Sequence, residues 1–377
     1  MPVAKGIREV GFFDCAGGGQ VVVENGYAYI GHISGPIGTT IVDVRDPSRP
    51  KFVASRNVLP GTHSHKVRVK GDIMLVNIEI TDKAAAQEAG VRGGLGIYDI
   101  SDRARPKEIH VWECDGSGVH RFTFDGRYAY ISPEVDGYLG NIVMILDMAD
   151  PASPKEVSRW WMPGQWIAGG ETPTWVKTQH RCHHAIRRGD RLYVSYWHGG
   201  AVILDIEDIT APKLISHTDW SPPFHWPTHS IVPVPFTIHG HRWALVADED
   251  VNPLTTDVSS RTMPAALWMV NISDETRPVP TASFQVEGLD GGDNEGKTGC
   301  HQPVETITGN EVPVAWFANG LRIIDISNPR SLREAAFFVP DAPRGHERPS
   351  SNDVYVDERG LIYLIDRFGG LNIVERT

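Results

Sequence analysis

The stretch "TQHRCHHAIRRGD", residues 178–190, places His180, His183 and His184 within five positions, ahead of an apolar run and a turn. Imidazole is the commonest transition-metal ligand and a proton carrier near neutral pH. One ion needs three or four donors arriving from different directions, so a histidine-rich stretch is not a site by itself. Counting back six residues from the turn glycines Gly71, Gly126 and Gly189 lands on His65, His120 and His183. Looser copies of that place hold His229 in "PTHSIVPV" and His301 in "GCHQPVE", with Gln20 in "GGQVVV" and Asn352 in "SSNDVYV" completing the series. Five of the sixteen histidines therefore share one position, and that regularity predicts a metal site with His65, His120, His183, His229 and His301 as ligands. His184, out of phase with His183, reads as a strand residue facing a neighbouring sheet.

A second register carries acids. Eight to ten residues past the turn stand Glu79 in "VNIEI", Glu134 in "ISPEV" and Glu249 in "VADED", with His198 in the matching place in "SYWHGG". In a hairpin the start of one strand lies beside the end of the next, so each acid is expected beside its own histidine. There a carboxylate accepts the second imidazole N–H, which fixes the tautomer and makes the ligand more basic. The other roles open to Glu79, Glu134, Glu249 and His198 are catalytic: general base, or direct contact with the ion. Neutral imidazoles backed by carboxylates select a transition metal over magnesium or calcium. Iron or copper is the first expectation for the cofactor, manganese or zinc the second.

The elements that must position these residues follow from a repeat. Six segments share an apolar run, an acid or amide, then Asp or Asn and a nearby Pro: "TTIVDVRDPSRPKFV", "LGIYDISDRARPKEI", "IVMILDMADPASPKEV", "GAVILDIEDITAPKLI", "LWMVNISDETRPVPT" and "LRIIDISNPRSLREAA". A seventh, "GLNIVERT", meets the C-terminus. Two short strands precede each segment and one follows, with turn residues between. Four strands per unit and about seven units predict an all-β fold, a seven-bladed β-propeller formed as a single domain over residues 1–377. The N-terminal strand at about residues 7–15, "IREVGFFDC", is expected to close it by completing the last blade at about 350–377. The recurring acids, such as Asp43 with Asp46 and Asp99 with Asp102, read as turn formers whose side chains hold the following backbone.

The third-strand motifs "TTIVDV" and "LRIIDI" resemble the LVIVD-repeat family, which implies a propeller fold and no particular activity. The predicted histidine ring with Glu79, Glu134 and Glu249 behind it is also similar in architecture to carotenoid cleavage oxygenases, where four histidines hold a non-haem iron and three glutamates bond behind them. The selenium-binding or methanethiol oxidase family is similar in outline. These resemblances imply an iron- or copper-dependent oxidoreductase acting on a small organic substrate. A manganese- or zinc-dependent lyase or hydrolase is the alternative, and a non-catalytic interaction scaffold a third reading.

A formal net charge of −11 and the lack of a basic run argue against nucleic acid as a partner. No 18-residue apolar run and no leader pattern is visible, so neither a membrane span nor a signal peptide is expected, and a cytoplasmic location is. Cys15, Cys114, Cys182 and Cys300 are widely spaced, which suits reduced thiols, and the two that precede ring histidines should pack between blades. Long connections carry Trp160, Trp161, Trp166, Trp175, Trp220 and Trp226, whose faces could enclose an aromatic, polyene or sugar-like substrate.

Overall fold

Alternating apolar residues bounded by Asx turns fold here as antiparallel meanders. The computed structural model describes residues 2–175, 180–220, 224, 226–251, 264–286 and 298–377. Parts of the long connections expected to shape a pocket, at 176–179, 221–223, 225 and 287–297, lie outside the described residues. The only α-helix among the described residues is Lys83–Glu88, started by Asp82, whose carboxylate accepts from the Ala84 and Ala85 amides. No helix among them is long and apolar enough to cross a membrane.

The chain forms two compact units. The amino-terminal unit, Ala16–Leu192 with Asp205–Lys213, contains three meanders. The first runs Gln20–Glu24, Tyr27–Gly31, Ile37–Asp43 and Lys51–Asn57. In the second, the inner edge is split into Thr62–His63 and Val67–Lys70, both paired with Ile73–Ile80; Gly94–Asp99 and Lys107–Glu113 follow. The third is Val119–Phe124, Tyr128–Pro133, Val143–Asp147 and Lys155–Trp160. Between the second and third meanders lies a core of Leu75, Leu95, Ile97, Phe122, Ile131 and Leu146. Burying both faces of the third strands explains their unbroken apolar runs, whereas the outer strands alternate with exposed Lys and Glu.

The carboxy-terminal unit, Met1–Cys15, Tyr193–Leu204 and Leu214–Thr377, repeats the pattern. Its meanders include Thr228–Pro233, Trp243–Asp248, Leu267–Asn271 and Val279–Phe284, then Gln302–Pro303, Glu311–Ala315, Leu321–Asp325 and Arg333–Val339. The last, Ser351–Val356, Ile362–Asp366 and Leu371–Arg376, takes its fourth strand from Ile7–Phe13, with Ile7 opposite Arg376 and Phe13 opposite Leu371. The N-terminal strand thus completes the final sheet, as its sequence predicts. Val3–Lys5 adds an unforeseen strand to Arg333–Val339.

The repeated acids are turn formers. Asp43, Asp99, Asp147, Asp205 and Asp325 each accept the amide two residues on at 2.8–3.1 Å. Asp46, Asp102, Asp150, Asp208 and Asn328 do the same one turn later. All four cysteines are free thiols, and Cys114, Cys182 and Cys300 are buried.

Candidate functional site

In the amino-terminal unit the histidines gather around Glu79. The ladder places His63 directly opposite Glu79, and cross-strand neighbours on one face touch. His63 Nε2 lies 2.7 Å from Glu79 Oε2, while its Nδ1 lies 3.2 Å from the Ile33 carbonyl. The ladder then breaks at Ser64–Lys66, where Asn77 fills the gap: its Oδ1 accepts from the Lys66 amide at 2.8 Å and its Nδ2 lies 3.2 Å from His65 Nδ1. His65 Nδ1 is 3.7 Å from Glu79 Oε2.

His120 reaches the same carboxylate from the next meander. Gly118 bridges to Glu79 with a positive φ of 97°, and a Cβ there would stand 2.3 Å from the Ile78 carbonyl oxygen, so only glycine allows that approach. Two residues on, His120 Nδ1 meets Glu79 Oε1 at 2.9 Å and Oε2 at 3.1 Å. A carboxylate at Nδ1 makes that nitrogen the donor and leaves Nε2 with a lone pair. The His183 ring centroid is 4.9 Å from that of His120.

This geometry changes one pairing expected from the sequence: the acid behind His120 is Glu79, and Glu134 instead accepts the Ser117 amide at 2.7 Å. The cause is register. Glu79 bridges Gly118 and the Ile80 amide donates to the Ser117 carbonyl, so the end of Ile73–Ile80 lies against the start of the next inner strand and Glu79 reaches its histidine.

Burial holds His65 and His183 well below the ordinary imidazole range, and neighbouring His120 and Arg121 add to the effect on both. Burial lowers His120 too, against the opposing pull of Glu79. The Glu79 carboxyl would be raised by burial, but His120 and His63 outweigh it and keep it well below the usual carboxylate range. Glu79 is therefore an ionised carboxylate near His65, His120 and His183, whose imidazoles burial keeps neutral, the protonation states that a metal requires of its ligands. Donor atoms of His63, His65 and Glu79 all lie within 4.8 Å of one another. Glu79 and His120 also line a cavity of about 500 Å³, with Trp175, His180, Arg181 and Glu134 in its wall.

The carboxy-terminal unit holds a second group. His301 Nε2 is 3.5 Å and His229 Nε2 3.9 Å from Glu249, with the two rings 4.1 Å apart. His301 Nδ1 donates to the Asn352 carbonyl, which turns Nε2 toward Glu249. Arg367 donates to Asn352 Oδ1 at 3.0 Å and stands 3.9 Å from Glu249. His198 is buried in the turn after Trp197, their rings 6.1 Å apart. Of the two amides in the histidine series, Gln20 accepts from the Val67 amide at 3.1 Å and so braces a strand, and Asn352 serves His301 and Arg367 as above.

Several residues of these groups escape the histidine count. His63 is two positions out of register with His65. Asn77, Ser132 and Ser195 stand six residues after the turn glycines, the mirror of the histidine spacing, and that signal was available. Their side chains bond inner-strand carbonyls: Asn77 to Val119 at 3.1 Å, Ser132 to His183 at 3.3 Å and Ser195 to His229 at 2.7 Å. The tryptophans divide: Trp161 and Trp166 pack on Tyr138 and donate, through indole and backbone N–H respectively, to Glu171, whereas Trp175 faces the cavity.

LVIVD repeats match at residues 18–58, 123–160, 188–219 and 306–338. No curated protein matches the chain. Solved structures with this fold include the periplasmic gluconolactonase PpgL of Pseudomonas aeruginosa, at 13% identity over 82% of this chain and 81% of that one, TM-score 0.55. The WD40 β-propeller domain of Doa1 aligns at 8% identity over 98% and 97%, TM-score 0.60. A provisionally assigned 6-phosphogluconolactonase of Bacteroides fragilis aligns at 9% over 91% and 88%, TM-score 0.58. At such identities the likeness concerns the fold, which lactonase-type enzymes and WD40 domains share.

Proposed function

For this chain, which carries LVIVD repeats on an all-β fold shared with β-propellers, we propose a metal-dependent enzyme whose reaction centre is the Glu79 group. One observation carries the reading: an ionised, mostly buried carboxylate contacts His63, His65 and His120 beside a cavity of about 500 Å³. His63, His65 and Glu79 would hold the ion. His120, with Nδ1 occupied by Glu79, presents Nε2 for proton transfer, and Glu134 in the cavity wall is a second candidate acid or base. When bound, the ion would supply Lewis acidity or electron transfer; the chain supplies ligands and the proton carriers. Two histidines and one carboxylate form the donor set typical of non-haem iron(II), which favours an oxidoreductase. The same set also suits zinc, and Glu134 in the wall favours a lyase or hydrolase as the second reading. We further propose that the repeats close as one seven-bladed propeller domain, supported by the four-stranded meanders and the pairing of Ile7–Phe13 with Leu371–Arg376.

Elemental analysis of tag-free protein tests the centre. His63→Ala, His65→Ala and Glu79→Gln should each lower metal affinity by more than the roughly 10- to 100-fold lost when an outer partner of a ligand is removed, while His120→Ala should retain the ion. Bound iron or copper supports oxidation, manganese or zinc the lyase or hydrolase. Loss of metal in His120→Ala with retention in Glu79→Gln would move Glu79 behind the ion, and full retention in all four variants would defeat the assignment.

A further inference from the structure

We propose that Asn77 is a positioning residue for the Glu79 group: its amide holds His65 in the tautomer with the lone pair on Nδ1, the nitrogen nearer Glu79, and the N–H on Nε2. The consequence for an ion rests on reading the Glu79 group as the metal centre. Asn77 is fully buried, so both arms of its amide need partners. Main-chain groups decide which arm is which. The Lys66 amide donates to Oδ1 at 2.8 Å, and Nδ2 faces the carbonyl oxygens of Val119 at 3.1 Å and His120 at 3.4 Å. A reversed amide would set its oxygen against two carbonyls and its NH2 against an N–H, so the backbone fixes the orientation. Nδ2 then meets His65 Nδ1 at 3.2 Å. An amide NH2 donates and does not accept, so Nδ1 accepts and the single ring proton sits on Nε2.

Two neighbouring histidines therefore hold opposite tautomers. His120 Nδ1 faces the Glu79 carboxylate and carries the proton, whereas His65 Nδ1 faces an amide and does not. Glu79 Oε2, 3.7 Å from His65 Nδ1, lies beyond hydrogen-bond reach, yet it would draw a proton to that nitrogen if the amide were absent. An N–H would then point where an ion needs a lone pair. When an ion takes that lone pair, the Val119 and His120 carbonyls keep Nδ2 bonded. The third meander supplies the contrast. Ser132 occupies the place of Asn77, six residues after its turn glycine, and its Oγ accepts from the amide of Arg121, the residue after His120, at 3.0 Å. Serine thus performs the backbone task with one arm, and the NH2 that asparagine adds is the part that reaches His65.

Long-range proton–nitrogen NMR of chelator-treated, tag-free protein labelled with 15N-histidine tests the assignment, with His65→Gln identifying the His65 signals and His120 as the internal reference of opposite tautomer. His65 should carry its proton on Nε2. Asn77→Ser, which keeps an oxygen for the Lys66 amide, should let a share of Nδ1–H appear, and Asn77→Asp, which replaces the NH2 by an acceptor, should make Nδ1–H predominate. Zinc affinity, measured by competition with a chelator, should fall by roughly 10- to 100-fold in both, as for other partners that orient a ligand. A thermal melt of each variant separates misfolding from a lost contact. A proton on His65 Nδ1 in the unsubstituted protein, or an unaltered tautomer in both folded variants, would overturn the proposal. Shifted tautomers with unchanged zinc affinity would overturn Nδ1 as the atom offered to the ion. The expected tautomers in a protein that takes up no zinc, iron, copper or manganese would sink the metal centre while upholding the hold of Asn77 on His65.

Discussion

At the scale of single residues, the groups that matter are polar side chains whose environment sets their protonation. Glu79 stays ionised because imidazoles surround it. Asp248 shows the opposite outcome in the other unit: buried, with Trp268 Nε1 donating at 2.7 Å as its closest bond, it has its carboxyl pushed up to about 7 by desolvation. Unfolded aspartate loses its proton near pH 4. Between there and about 7 the folded chain binds more protons than the unfolded one, so stability falls as pH rises through that window and the deficit is complete above it. Asp248→Asn should remove this decline and raise stability at pH 8 by on the order of 1–3 kcal/mol. Calorimetric melts from pH 4 to 8 check it, and a variant whose melting temperature declines in parallel with the parent would contradict the buried proton. The histidine register was legible because identical spacing recurs in separate repeats. His63 was not, since its place opposite Glu79 depends on a ladder that breaks and resumes.

Elements repeat more faithfully than the side chains they carry. Second strands end in a tight turn with a left-handed aromatic residue, Trp197 (φ 53°) or Phe317 (φ 40°), followed three residues later by Gly200 or Gly320. A Cβ on Gly320, at φ 72°, would sit 2.2 Å from the Phe338 carbonyl oxygen, where the third strand starts against the fourth. Gly320→Ala should therefore destabilise by roughly 1–3 kcal/mol through strain and displaced pairing. Chemical denaturation measures this, and a midpoint within error of the parent would show that the turn relaxes freely. The repeat, the strand count within each meander and the Asx turns were readable because local chemistry fixes them. The pairing of each acid was not: Glu134 lies in the expected place on its own strand, yet Glu79 from the preceding meander reaches His120.

For the whole molecule, the longest-range pairing joins Ile7–Phe13 to Leu371–Arg376 across nearly the entire sequence. Removing residues 2–13 would expose one edge of Leu371–Arg376 and uncover the buried Ile7 contact, at a cost of roughly 3 kcal/mol or more. A truncated chain should unfold at lower denaturant and regain stability when the peptide 2–13 is supplied; an unchanged midpoint would mean the strand contributes no net stability. The sequence by itself determined the all-β class, the repeat, this terminal pairing and the positions of the candidate histidines, because periodic burial and turn chemistry act within a few residues and recur along the chain. Which carboxylate meets which imidazole, the inclusion of His63, and the cavity faced by Arg181 and Trp175 were decided only by the tertiary structure. Those contacts join neighbouring meanders, and a shift of one residue in strand register, which no local pattern encodes, would rearrange all of them.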